Sequence, residues 1–407
     1  MSVRQSLYAT AVAWLIAVTA SGAIAAPDEA LLGKAEGYPV CPRSVSPRPG
    51  CLVGLLSHYD EVFPARIVPH GADVRPLRRA GEEPAIRYTY RGSPATLDEY
   101  LSRNRTTGLL VLKGDTILVE RYQYDREPTQ RLASYSMAKT LVGMLAGIAL
   151  SEGAIRSLDD PAARYVKALA GTPYGDTPIR HLLTMSSGVR FSEIYSGSDD
   201  IMTLARLSIG GESEGGAATV APFTTRERPA GERFSYSSAE TQVLGLVLRE
   251  ATGKTLSDYL AEKIWQPMGA EADASWIVDK GGYENAYAFF NATLRDYGRL
   301  GLLLADDGAR DGRAIIPAAW VRAATTAPAP QFGPAATGVR LGYGYQTWIV
   351  DEQARQFVLL GLRGQAIFVA PAERIVMVHT AVRDVADLDL GEMMQLWRGV
   401  VSSLSLH

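Results

Sequence analysis

From Met137 to Leu150 the chain carries apolar side chains on every face that a helix would present, in the run LVGMLAGIAL. A helix without a polar face belongs at the centre of a fold. Gly153 is placed to stop it. Before it, Thr107–Leu112 and Thr116–Tyr122 are β-prone runs joined by Lys113-Gly114-Asp115, turn chemistry that predicts a hairpin. Helical spacing returns at Ile179–Met185, Thr241–Thr252 and Leu256–Ile264. The intervening stretch Tyr195–Thr225 is rich in Gly, Ser and Thr and predicts loops around a cleft. Short strand-type runs reappear at Tyr345–Val350, Gln356–Leu360, Gln365–Val369 and Ile375–Thr380, and Leu388–Leu404 reads as a closing amphipathic helix. Strands at both ends with helices between them predict an α/β fold, in which a mixed, mainly antiparallel sheet is assembled from distant parts and flanked by helices. On this reading residues 96–407 form the main domain, with a mostly helical domain inserted at about 158–312. Residues 26–95 are rich in Pro, Gly and Arg, show little period, and predict an extension wrapped on the main body.

Composition changes this picture little. Of 407 residues, 47% are hydrophobic and 21% charged, as in an ordinary globular chain. A net charge of −3 offers no basic surplus, which argues against a nucleic-acid partner. The first 25 residues do add something. Arg4 precedes an apolar run from Leu7 to Ala20, and Ala23-Ile24-Ala25 supplies the small residues of a cleavage site. That order predicts a signal peptide and a periplasmic or secreted protein starting near Ala26. The alternative is a buried N-terminal helix. The run is short for a membrane span, and no second long apolar stretch follows, so no stable membrane insertion is expected after processing. Cys41 and Cys51 flank an irregular loop; in an oxidising compartment they predict one disulfide, the alternative being two unrelated thiols. The cysteines, His58, His70, His379 and His407 lack metal-ligand spacing, and no metal or cofactor is expected. Oligomeric state leaves no signature in the chain.

Candidate chemistry begins with Ser134-Tyr135-Ser136-Met137-Ala138-Lys139-Thr140. Ser136 and Lys139 form a Ser-x-x-Lys pair at the start of the apolar helix, about one turn apart and so on one face. A serine hydroxyl needs a base to become a nucleophile. Burial disfavours the lysine ammonium and turns the amine into that base. The helix N-terminus favours negative charge developing near Ser136. The bland alternative is a solvated lysine beside an N-cap serine. A second candidate is Tyr236 in Phe234-Ser235-Tyr236-Ser237-Ser238, as general acid or base, against the alternative of a core tyrosine. Tyr195, Phe289, Phe290, Tyr343 and Trp348 are candidates to line a cleft, each equally a core residue.

With these segments the chain resembles the serine β-lactamase-like and penicillin-binding-protein-like superfamily. Ile155-Arg156-Ser157-Leu158-Asp159-Asp160-Pro161 and Ile179-Arg180-His181-Leu182-Leu183-Thr184-Met185-Ser186-Ser187-Gly188-Val189 are similar to segments of its class C-like branch. Tyr236-Ser237-Ser238 with Ala239–Gly245, Phe290–Asp296 and Gly361-Leu362-Arg363-Gly364-Gln365 resemble 6-aminohexanoate-dimer hydrolases and related esterases. The resemblance implies a β-lactamase/transpeptidase-like fold and an acyl-enzyme on Ser136. It implies a proton shuttle through Lys139 and Tyr236, and an oxyanion hole from the backbone N–H groups of Ser136 and Gln365. Ser238 stands where β-lactamases carry Asn, and Leu362-Arg363-Gly364 where they carry Lys-Thr-Gly. Leu362 thus replaces the cation that usually binds a β-lactam carboxylate. Arg363 is a substitute only if it faces the site, and strand alternation would turn it away. The expected activity is therefore hydrolysis of a small amide or ester. The alternatives are a β-lactamase or D-Ala-D-Ala peptidase, and a non-catalytic binding protein on the same fold.

Overall fold

Successive side chains of the strand Thr106–Lys113 fall on opposite faces of a sheet, and both faces are covered. The protein is described here by a computed structural model covering residues 25–385 and 390–405. The leader predicted at 1–25, except Ala25, lies outside the described residues. Leu110 and Leu112 share one core with Phe357, Leu359, Ile367, Val369, Val376 and Val378. Leu109 and Val111 join a second with Val358, Phe368, Met377 and Trp397. The sheet between these cores has eight strands among the described residues. Their order is Gly342–Tyr343, Trp348–Asp351, Gln356–Gly361, Gln365–Ala370, Ile375–Ala381, Thr106–Lys113, Thr116–Tyr122 and Arg78–Arg79. Only the last pair is parallel. The early hairpin therefore joins the late strands directly, with Val378 opposite Leu110 and His379 opposite Leu109.

Each face has its own helical layer. On one side Leu294–Ala305 lies so close that a Cβ at Gly301 would come within 2.5 Å of Val376 Cγ1. Glycine is what permits that approach. On the other side Gly391–Ser405 stacks Trp397 on Phe368, ring centroids 5.3 Å apart. The apolar helix runs Ala138–Ser151 and is buried from Ala138 through Ala149, packed on the helix Ser238–Thr252.

The structure adds detail that the pattern of the chain did not give. A second, four-stranded sheet runs Ala65–Val68, Ala274–Ile277, Phe290–Ala292, Leu132–Ala133. Residues 26–95 thus contribute strands to both sheets rather than only wrapping outside. The stretch 158–312 contains the helices Ile179–Leu183, Asp200–Leu207, Ser238–Thr252 and Leu256–Leu260, but also two strands of the second sheet and the sheet-packed helix Leu294–Ala305. Asp200–Leu207 lies inside the segment expected to be loops. Its apolar residues Ile201, Leu204 and Ala205 bury one face, a period that the glycines on either side obscure.

Candidate active site

The chain enters the apolar helix through a tight turn, Tyr135–Met137, and this turn sets Ser136 at the edge of a cleft. Tyr135 adopts φ +44°, a left-handed conformation that a non-glycine residue holds only under tertiary constraint. The strand Gln356–Gly361 supplies that constraint: a Cβ at Gly361 would lie 2.1 Å from the Ser134 carbonyl oxygen. One turn on, Lys139 is 1% exposed, and its Nζ donates to Ser136 Oγ at 2.9 Å and to the Tyr287 carbonyl at 2.8 Å. Burial pulls the lysine down to about 8, while the Glu193 carboxylate opposes the shift. The Tyr236 phenol is close enough to Ser136 for the serine side chain to favour its ionised form slightly. Lys139 Nζ lies 5.1 Å from the centre of the Tyr236 ring. Burial, and then the charge of Glu193, push the Tyr236 phenol well above its ordinary value. Trp348 stacks on its ring at 5.4 Å between centroids. Ser136, Lys139 and Tyr236 are therefore brought together.

The resulting cavity has a volume of about 210 Å³. Ser136, Ser238, Leu362 and Arg363 line it, with Tyr195, Tyr287 and Phe289. Of the other aromatic candidates, Phe290 is a core residue, while Tyr343 and Trp348 sit behind Tyr236. Gln365 is not part of the lining. Its side-chain Nε2 donates to the Ala381 carbonyl at 2.6 Å, and its Oε1 accepts from Ala381 N–H at 3.2 Å, which ties it to the neighbouring strand. Gly364 is also set back and buried, its carbonyl accepting from His379 Nδ1 at 2.6 Å. Arg363 does face the cleft, contrary to the alternation argument. The strand ends at Gly361, and Leu362–Gly364 is a turn in which Arg363 takes φ +64°. Its Nη1 donates to the Arg383 carbonyl at 2.9 Å.

Glu193 escaped the sequence reading. Its carboxylate accepts from Ser238 N–H at 2.8 Å, Ser238 Oγ at 2.9 Å and the Tyr195 hydroxyl at 2.9 Å. Ser238 is thus held by a carboxylate on the cleft wall. No local motif marks Glu193; only its place on the same loop as Tyr195 could have drawn notice. Among the described residues no group of His, Cys, Asp and Glu is arranged to hold a metal ion, and no helix is long and apolar enough to cross a membrane.

The family described as Beta-lactamase matches residues 95–390. The 6-aminohexanoate-dimer hydrolase of Paenarthrobacter ureafaciens is 27% identical over 291 residues, covering 69% of this chain and 74% of that protein. A solved Bacillus anthracis protein with the provisional name 6-aminohexanoate-dimer hydrolase superposes with a TM-score of 0.75 at 24% identity, over 88% of this chain and 93% of the other. A D-stereospecific amidohydrolase from a Streptomyces species superposes with a TM-score of 0.55 at 15% identity, over 73% and 94%.

Proposed function

We propose that this chain, which belongs to the beta-lactamase family, is a serine hydrolase that cleaves a small amide or ester through an acyl-enzyme on Ser136. One observation carries the reading: a buried lysine donates to the side chain of a serine that opens into the cleft, and its Nζ lies 5.1 Å from the ring centre of a buried tyrosine. Their environments push the two groups apart, which sorts their roles. Lys139, lowered to about 8, has a neutral fraction near neutral pH and accepts the Ser136 proton. Tyr236, raised, stays protonated and is the acid. Ser136 Oγ attacks the carbonyl carbon, and the carbonyl oxygen becomes an oxyanion. The donors for that charge are the backbone N–H groups of Ser136 and Gln365. Collapse breaks the bond to nitrogen or oxygen, and Tyr236 protonates the leaving group. The Lys139 ammonium then returns its proton to the tyrosinate, which leaves both groups as they began. Water attacks the ester carbonyl and gives a proton to Lys139; that proton passes to the departing Ser136 Oγ, freeing the acid and the serine.

The named relative favours amides within this class. Arg363 at the cleft wall favours a second reading, a β-lactam or peptide carboxylate as substrate. Export to an oxidising compartment fits the leader-like start and the Cys41–Cys51 disulfide. Intact-mass analysis after exposure to a fluorophosphonate tests the proposal, with Ser136→Ala as control. One adduct on the wild-type protein and none on the variant are expected; an adduct on both removes Ser136 as nucleophile. Faster turnover of p-nitrophenyl esters or linear amides than of a chromogenic cephalosporin is expected, and the opposite order establishes the second reading.

A further inference from the structure

The wall of the cleft is built in part from outside the matched family region. Val45, Ser46 and Pro47 line the same cavity as Ser136, although the family match begins only at residue 95. They sit within the loop closed by the disulfide between Cys41 and Cys51, whose Cα atoms are 5.4 Å apart. Two contacts fix this loop to the body. Arg43 Nη2 donates to the Ile209 carbonyl, and the Arg43 guanidinium lies 5.2 Å over the Phe63 ring. Val45 packs against the main hydrophobic core. Ile201, Met202, Ala205 and Ile209, from the helix Asp200–Leu207 and the turn after it, line the same cavity, and the Arg43 bond sets that turn directly beside the loop.

The lining is of two kinds. Ser136, Glu193, Ser238 and Arg363 are polar or charged. The disulfide loop and the helix segment add mainly apolar surface, including branched aliphatic side chains and a proline ring. An unbranched aliphatic chain fits such a trough, since it loses water on burial and needs no hydrogen-bond partner. A loop tethered at both ends is also a fixed stop for that chain.

We propose that the disulfide loop and Ile201–Ile209 form a subsite for the aliphatic chain of the substrate, and that the closed loop sets the chain length accepted. This rests on Ser136 being the acylated nucleophile. The test is the ratio of kcat/KM for p-nitrophenyl octanoate to that for the acetate. It is measured on the oxidised protein, on the folded protein reduced with a phosphine, and on Val45→Trp. One methylene in an apolar pocket changes kcat/KM by roughly 10-fold or more. Freeing the loop is expected to raise the ratio by about tenfold, and Val45→Trp, which fills the trough, to lower it by about tenfold. Cys41→Ser/Cys51→Ser repeats the first arm without reductant. Circular dichroism and fluorophosphonate labelling show whether each sample is folded and acylated at Ser136. The proposal stands only if the two ratios move in these opposite directions, and any other pattern in labelled, folded protein overturns it. Failure of the wild-type protein to label overturns instead the underlying assignment of Ser136.

Discussion

At the residue scale the site depends on a lysine that is costly to bury charged. Lys139 has its ammonium form disfavoured to a value of about 8 by burial. The neutral amine is the active form, so kcat/KM is expected to rise with pH through about 8. The Glu193 charge holds the lysine higher than burial alone would. Glu193→Gln is thus expected to move this limb to lower pH, and a pH–rate profile with the limb unmoved would separate Glu193 from the lysine. Lys139→Ala and Tyr236→Phe should each lower kcat/KM by about 10²–10⁴-fold, and the double variant by far less than the product, because the groups act through one serine. Glu240 is a second buried titratable group with a different consequence. Its carboxyl accepts from Ser187 Oγ at 2.6 Å, its Oε2 is unpartnered, and burial raises it to about 8. A carboxyl raised above its unfolded value of ~4.5 contributes stability below that value and loses it as pH rises through about 8. Glu240→Gln, which keeps the neutral form, should therefore gain in Tm over the wild type progressively from about pH 5 to about pH 8.5. A constant difference across that range would show that Glu240 does not titrate there.

At the element scale, what could be read from the chain was what local spacing encodes. Ser136 and Lys139 stand one helical turn apart, and the all-apolar face pattern of Ala138–Ala149 announces burial before any fold is known. The hairpin and the late strands are equally local, since period and turn residues define them. Arg363 was misread because alternation assumes that a strand continues, and here it ends in a left-handed residue at φ +64°. Glu193 and Val45 were invisible for another reason: their partners, Ser238 and the Ile201–Ile209 segment, are distant in sequence and meet them only in the folded chain. Gly301 shows the same limit. Within a helix it reads as a weak point, yet the helix can lie on Val376 and Ile367 only because it has no side chain. Gly301→Val is expected to destabilise the protein by roughly 1–3 kcal/mol through overpacking. Urea unfolding measures it, and an unchanged midpoint would show that helix and sheet can separate freely.

On the scale of the whole molecule, the sheet divides labour between its two faces. The apolar helix, the cleft aromatics Tyr135, Tyr287 and Phe289, and the trough residues Ile201 and Ile209 all belong to one core. The other core lies under the C-terminal helix and includes none of these residues; Trp348, which stacks on Tyr236, packs against its edge. Trp397 is its largest fully buried side chain, stacked on Phe368 and donating from Nε1 to Gln356 Oε1 at 2.9 Å. Trp397→Ala removes that stack, leaves a cavity and frees a half-buried amide oxygen. The cost expected for such a truncation is about 3–5 kcal/mol. Because the sheet stands between Trp397 and Ser136, the loss should appear in stability and not in chemistry. A lowered urea midpoint is expected, together with a fluorophosphonate labelling rate within about twofold of the wild type under conditions where the variant remains folded. A variant that is fully folded yet labels far more slowly would mean that the outer core also fixes the geometry of the catalytic turn. The route would then run through Gln356–Gly361, the strand that Gln356 begins and whose last residue abuts Ser134.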